Sequence, residues 1–353
     1  VNQTRERTNA IVTPQPQGRD HCTKSRAGFR RVCGVVLNGV GPFTGLSCDN
    51  LQGNGAILRN TIVSLARLSD PALADWIDAH CSFPNSMVDC IVPATGEKEL
   101  ALARAFGVDD RAPVTHENFR QWVIEDDFCA GRPDWDKVGA TFSHDVHTYE
   151  AMKLRVLNGG HQMIAIAGDL LGIETISGCM ADERIAWFLR QTMTAEVLPN
   201  VEPVPAMTPS AYLDLIERRF SNAEIVDTTR RVAFDGSSRQ PGFIIPSIHD
   251  ALANGQPIEG LALMSALWMR YCLGMREDGT PIKPNDPLWE ALAPVAQSAT
   301  SDPISWLRQK QFYGDLAADE RFADAFLGWA GQLKANGVGA TLSAFAAARL
   351  VDA

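Results

Sequence analysis

The stretch "YEAMKLRVLNGGHQMIAIAG" (149–168) sets Lys153, Asn158 and His161 five and three residues apart inside an otherwise apolar run. Its apolar residues recur at helical spacing, and from here to the C-terminus helix signals replace strand signals. At about 100° per residue, Asn158 lies about 140° and His161 about 80° round a helix from Lys153, so the three share one side. Glu150 sits near the flank of that side. A lysine sunk among Leu154, Val156, Leu157, Ile164 and Ile166 has its ammonium form disfavoured, so it can act as a base near neutral pH. An asparagine amide and an imidazole beside it can hold a developing oxyanion. The consecutive Gly159 and Gly160 each weaken the helix by about 1 kcal/mol, which lets a backbone or a substrate come close.

Upstream of this segment the chain alternates. "PFTGLSCDN" (42–50) reads as a buried strand and "GAILRNTIVSLARLS" as a helix; Asp70 with Pro71 starts a second helix, since proline at the first helical position gives up no needed N–H. "SMVDCIVPAT" is a strand, "GEKELALARAFG" a helix closed by Gly107, and "RQWVIEDDF" a further strand. Such alternation predicts a parallel sheet with helices on its faces. Downstream, "ERIAWFLRQTMTAEVL", "PSAYLDLIERRFSN", "GLALMSALWMRYCLG" and the run from Pro303 to Leu333 read as helices, and "RVAFDGSSRQPGFIIPS" as an extended link. The fold class expected is α/β followed by all-α. A basic arm over 1–41, expected to be poorly ordered, precedes a sheet domain over 42–143 and a helical domain over 144–353.

Composition bounds the function. The 353 residues carry a net charge of −10, which argues against a nucleic-acid groove, and 45% hydrophobic residues suffice for two cores. Residues 1–40 hold seven basic side chains against two acidic ones. No apolar stretch approaches the roughly 18 to 20 residues of a membrane span, and no signal peptide is written, so the expected compartment is the cytoplasm. Eight cysteines without a CxxC pair suit reduced structural thiols. "VCGVVLNGVGPFTG" feeds a glycine-rich turn, but the G-x-G-x-x-x-G spacing and the strand that follows do not suit a phosphate loop. His144 and His147 with Asp145 lack the further ligands of a metal site, so none is expected. Trp76, Trp187 and Trp268 read as core.

Five motifs, "SCDNLQGNG" (47–55), "FPNSMVD" (83–89), "WVIEDDFCAGRPDWDKVGATF" (122–142), "MKLRVLNGGH" (152–161) and "DGSSRQPGF" (235–243), stand in order along the chain. Together they resemble the long-chain mannitol dehydrogenase family of polyol and sugar-acid oxidoreductases. The resemblance covers the chain from about Pro42 onward and implies a partial Rossmann-like domain plus a helical substrate domain. It implies zinc-independent oxidation of a secondary alcohol at C2, as in mannitol to fructose, with NAD or NADP as hydride acceptor and a polyol or ketose as the small-molecule partner. In its terms Lys153 is the base. Asn50 (on the nicotinamide side) and Asn158 hold the substrate oxygen, His161 hydrogen-bonds it, and Glu150 passes the proton to water. Asp89 lies at the mouth of the site, while Arg231 and Arg239 bind substrate hydroxyls. A hexuronate reductase is the related alternative, and a monomer is expected. The family's N-terminal glycine fingerprint for the dinucleotide phosphates is not written here, so a truncated, inactive member is a further alternative. A third reading makes Lys153 a Schiff-base nucleophile of an aldolase-like enzyme.

Overall fold

The computed structural model describes residues 41–351, with side chains to 348; the basic arm lies outside the described residues. The chain divides into two compact units, one holding the chain up to Ile91 with Glu117–Glu150, the other Val92–His116 with Ala151–Ala353.

In the first unit, helix α1 (Asn54–Arg67) packs on α2 (Pro71–His80). Their core joins Leu58, Ala66, Leu73, Ala74, Ile77 and Phe83. The Asp70 carboxylate caps α2 by accepting from Leu73 N at 3.1 Å, as its Asp-Pro start predicts. Gly55 has no substitute: a Cβ there would fall 2.3 Å from the Phe83 carbonyl oxygen, so the first turn of α1 lies directly on the Phe83–Pro84 backbone.

Strands β1 (Ser86–Asp89), β2 (Gln121–Glu125) and β3 (Thr141–Ser143) form one sheet in that order. β2 and β3 run parallel, with Val123 opposite Thr141, but β1 and β2 run antiparallel, with Ser86 opposite Ile124. The sheet is therefore mixed rather than wholly parallel. The intervening helix α3 (Glu97–Ala105) buries no residue, so it does not pack as a crossover helix does, and the chain re-enters the sheet in the opposite sense. The expected strand at 42–50 shrinks to a parallel bridge between Thr44 and Ser82.

α4 (Val146–Met152) leads without a break in helical backbone into a π-helical turn, π1 (Lys153–Asn158), and then α5 (Gly159–Leu170). α5 is apolar all round and wholly buried along Met163–Ala167, the signature of a helix at the centre of a bundle. Around it in the second unit pack α6 (Ile176–Ala181), α7 (Glu183–Thr192) and α9 (Thr229–Val232). A second π turn, π2 (Met193–Val197), ends α7, and α8 (Pro209–Phe220) lies against π1.

The segment expected to be an extended link is helical. α10 (Gly236–Arg239) runs into π3 (Gln240–Ile244) and α11 (Ile245–Ala253). Two prolines and paired isoleucines lower the local helix propensity, but Pro241 and Pro246 fall where the run widens into π3 and resumes as α11, and Gln240, Ile244, Ile245 and Ile248 are buried. Packing outweighs propensity there.

α12 (Glu259–Tyr271) is buried along Gly260–Met269, and the Glu196 carboxylate of π2 caps it by accepting from Gly260 N (2.8 Å) and Leu261 N (2.9 Å). Trp268, edge-on to Trp306 and Phe312, is core as its sequence context suggests. α13 (Trp289–Ala299) and a long helix α14 (Glu320–Val351), broken at Gly337, complete the unit, with α14 along α12.

Candidate active site

In the second unit the local backbone places the candidate residues. π1 begins at Lys153 and ends at Asn158, and both side chains are buried, at 9% and 8% exposure. A π turn closes i→i+5 hydrogen bonds, so it carries more residues per turn than an α-helix and displaces the side chains that follow. The regular helical angles between Lys153, Asn158 and His161 therefore do not hold across it. π1 touches both π2 and π3, so three widened turns meet at one place. The two glycines that follow serve packing: a Cβ on Gly159 would stand 3.5 Å from the Phe243 carbonyl oxygen, and one on Gly160 3.1 Å from Leu189 Cδ1. The close approach at these two positions is thus by π3 and α7.

His161 stacks on Phe220 of α8 with ring centroids 4.0 Å apart. Part of the residue reaches the surface, yet Nε2 is shut off from solvent and has no hydrogen-bond partner among the described residues. Burial first, then the charges of Arg231, Arg219, Arg239 and Lys153, hold the imidazole well below its ordinary pKa, so it is neutral at physiological pH. Four cations thus act on one neutral ring. Sequence reasoning finds three of them; Arg219, buried in α8, reads from sequence as part of a charged helix face, and nothing in "LIERRF" marks it otherwise.

Arg231 donates Nε to Asp227 Oδ1 at 2.6 Å, and its Nη2 pairs with the other oxygen of that buried carboxylate. Arg239 donates Nη1 to the Val232 carbonyl at 2.6 Å, and burial lowers the pKa of its guanidinium. Between them Asp235 takes a left-handed backbone, φ 60°, that starts α10. Burial raises its carboxyl pKa, against the Ser238 hydroxyl that donates to it.

Asn50, Asp89 and Glu150 belong to the first unit. Asn50 is exposed at the carboxyl end of the Thr44–Ser47 segment, and Asp89 is buried at the end of β1, opposite Gln121. Glu150 Oε2 accepts from Gly53 N at 3.3 Å and from His147 Nδ1 at 2.9 Å, while Oε1 is buried without a partner among the described residues. Burial raises its pKa, and the His147 contact partly offsets this. His147 is thereby engaged with a carboxylate, and among the described residues no group of three or more His, Cys, Asp or Glu could hold a metal.

The loop carrying Asn50 is held by a residue that sequence reasoning passed over. Asn54 donates Nδ2 to the Asp49 carbonyl (2.9 Å) and to the Ser86 carbonyl (2.7 Å), and accepts from Ser86 N at 3.0 Å. Asn85 likewise accepts from Gly55 N and donates to Glu125. The signal was present, since both lie in quoted motifs, but spacing alone does not separate a buried structural amide from an exposed one.

Comparison with known proteins shows the family. Residues 36–137 match the mannitol dehydrogenase Rossmann domain and residues 145–330 the mannitol dehydrogenase C-terminal domain. The chain is 52% identical over 310 residues to mannitol 2-dehydrogenase of Cereibacter sphaeroides, covering 88% of this chain and 65% of that protein. It is similar in structure to the Pseudomonas fluorescens mannitol 2-dehydrogenase ternary complex with NAD and D-mannitol, with a TM-score of 0.83 and 37% identity over 90% of this chain and 65% of the other. A D-sorbitol dehydrogenase in substrate-free form gives a TM-score of 0.79 at 31% identity, over 90% of this chain and 66% of the other. The chain thus spans a little under two thirds of the length of these relatives. With both domain signatures in order and the motif residues placed as described, the chain belongs to the mannitol dehydrogenase family.

Proposed function

We propose that this chain carries the alcohol-oxidising site of an NAD-linked polyol 2-dehydrogenase of the mannitol-to-fructose type. The observation that supports this most is the buried Lys153–Asn158 turn beside a neutral His161 ringed by cations. Oxidation of a secondary alcohol removes a proton from oxygen and a hydride from carbon. In this reading the Lys153 amine takes the proton, with no metal hydroxide involved. The Asn158 amide donates to the oxygen as negative charge grows on it, and neutral His161, with an unsatisfied Nε2, completes that grip. Arg231 and Arg239 bind the remaining hydroxyls and fix which carbon is presented.

NAD, when bound, supplies the hydride acceptor. The fit of the first unit to such a group rests on Asn50, exposed on the loop between the Thr44 bridge and α1. Glu150, three residues before Lys153 on the same helical run, is assigned the relay of the proton to water, and Asp89 the mouth of the site.

The test is NADH formation by the full chain from mannitol, arabinitol or sorbitol. Replacing Lys153→Ala should lower turnover by about 10²- to 10⁴-fold, the usual worth of a positioned proton acceptor. No NADH from any of the three, or a Lys153→Ala variant that keeps its rate, overturns the reading. A second reading, reduction of a hexuronate, is favoured by the excess of cations around His161; a kcat/KM for fructuronate above that for fructose selects it.

A further inference from the structure

We propose that Gln162 is a positioning residue for Arg239, acting through the Val232 carbonyl that both side chains share. Gln162 follows His161 on α5 and is wholly buried. Its Nε2 donates to Val232 O at 2.7 Å, and Arg239 Nη1 donates to the same oxygen at 2.6 Å. Val232 ends α9, so its carbonyl lacks an intrahelical partner, and its two lone pairs can take one donor each. The far side of the Gln162 amide is held as well: Oε1 accepts from Gln240 Nε2 at 3.4 Å. Gln240 is fully buried and is Arg239's chain neighbour at the start of π3.

The guanidinium of Arg239 is therefore aimed by a carbonyl whose plane a residue adjoining His161 fixes. A merely structural pair of buried glutamines would satisfy each other without involving that cation. The shared acceptor couples the helix bearing His161 to the residue that, in the function proposed above, holds substrate hydroxyls. Misaiming Arg239 weakens ground state and transition state alike, so the effect falls on KM and spares kcat.

The full chain with Gln162→Met, which keeps length and loses the donor, should show KM for the polyol raised roughly tenfold, as for one weakened charge-assisted contact, and kcat within about twofold. Arg239 should also react faster with phenylglyoxal, read by peptide mass spectrometry with neither cofactor nor turnover. In the Gln162→Met/Arg239→Met double variant, KM should rise no further than in Arg239→Met alone. Unchanged KM and labelling in Gln162→Met, or additive effects in the double variant, overturn the proposal. If Gln162→Met does not fold, Gln162→Leu, which also lacks the donor, is read by the same criteria. If the unmodified chain turns over no polyol, the functional reading fails, and the labelling comparison alone decides the role of Gln162.

Discussion

His161 shows how a single side chain is set by its surroundings. Its ordinary pKa is 6.5, and in the fold burial and four cations depress it strongly. Below about pH 6.5 the unfolded chain binds a proton that the folded chain refuses, so stability falls as pH drops through that value, with a slope of up to ~1.4 kcal/mol per pH unit. His161→Gln removes this contribution. Urea midpoints measured from pH 7 down to pH 5 should therefore fall less steeply for the variant than for the parent chain, and equal slopes would refute the placement of the ring. The sequence marks Lys153, Asn158 and His161 as unusual, because polar residues in an apolar run demand explanation. It does not reveal that Arg219 joins them, since a buried arginine and a solvated one look alike in "LIERRF".

At the scale of elements, caps and close approaches are what the chain invests in. Asp70→Ala removes the acceptor for Leu73 N and should cost about 1 kcal/mol by chemical denaturation. Gly55→Ala should cost more, on the order of 1–3 kcal/mol or beyond. The atoms in its way are the Phe83 and Pro84 backbone, which cannot swing aside as a side chain can. A variant as stable as the parent chain would mean that α1 does not lie on that turn. Both helices were legible from Asp-Pro and apolar spacing, whereas three other features were not. The π turns have no composition of their own: each is a helix carrying an extra residue, and only neighbours that gain from the displacement keep it. The helical segment around Pro241 and Pro246 was hidden because its residues favour extended chain in isolation. The antiparallel entry of β1 was hidden because alternation of strand and helix does not state which helices cross a sheet.

For the whole molecule, the buried thiols give a readout of global unfolding. Cys179 is wholly buried, with its pKa pushed up by burial to about 12, and the thiol of Cys272 is likewise raised, while Cys48 is exposed. Iodoacetamide at pH 8 should label Cys48 in the native chain and reach Cys179 and Cys272 only in step with unfolding followed by circular dichroism. Early labelling of Cys179 would contradict the packing of α6 beneath α5. The sequence by itself determined the family, the change from alternating to helical structure near residue 143, and the oddity of Lys153 as a lysine in an apolar run, because motif order and hydrophobic period are properties of a line of residues. Only the tertiary structure decided that Lys153 and Asn158 bracket a π turn, that Arg219 completes the charges around His161, and that Gln162 and Arg239 share one carbonyl. Those relations depend on burial and on distances between residues remote in the chain, and no local propensity encodes them.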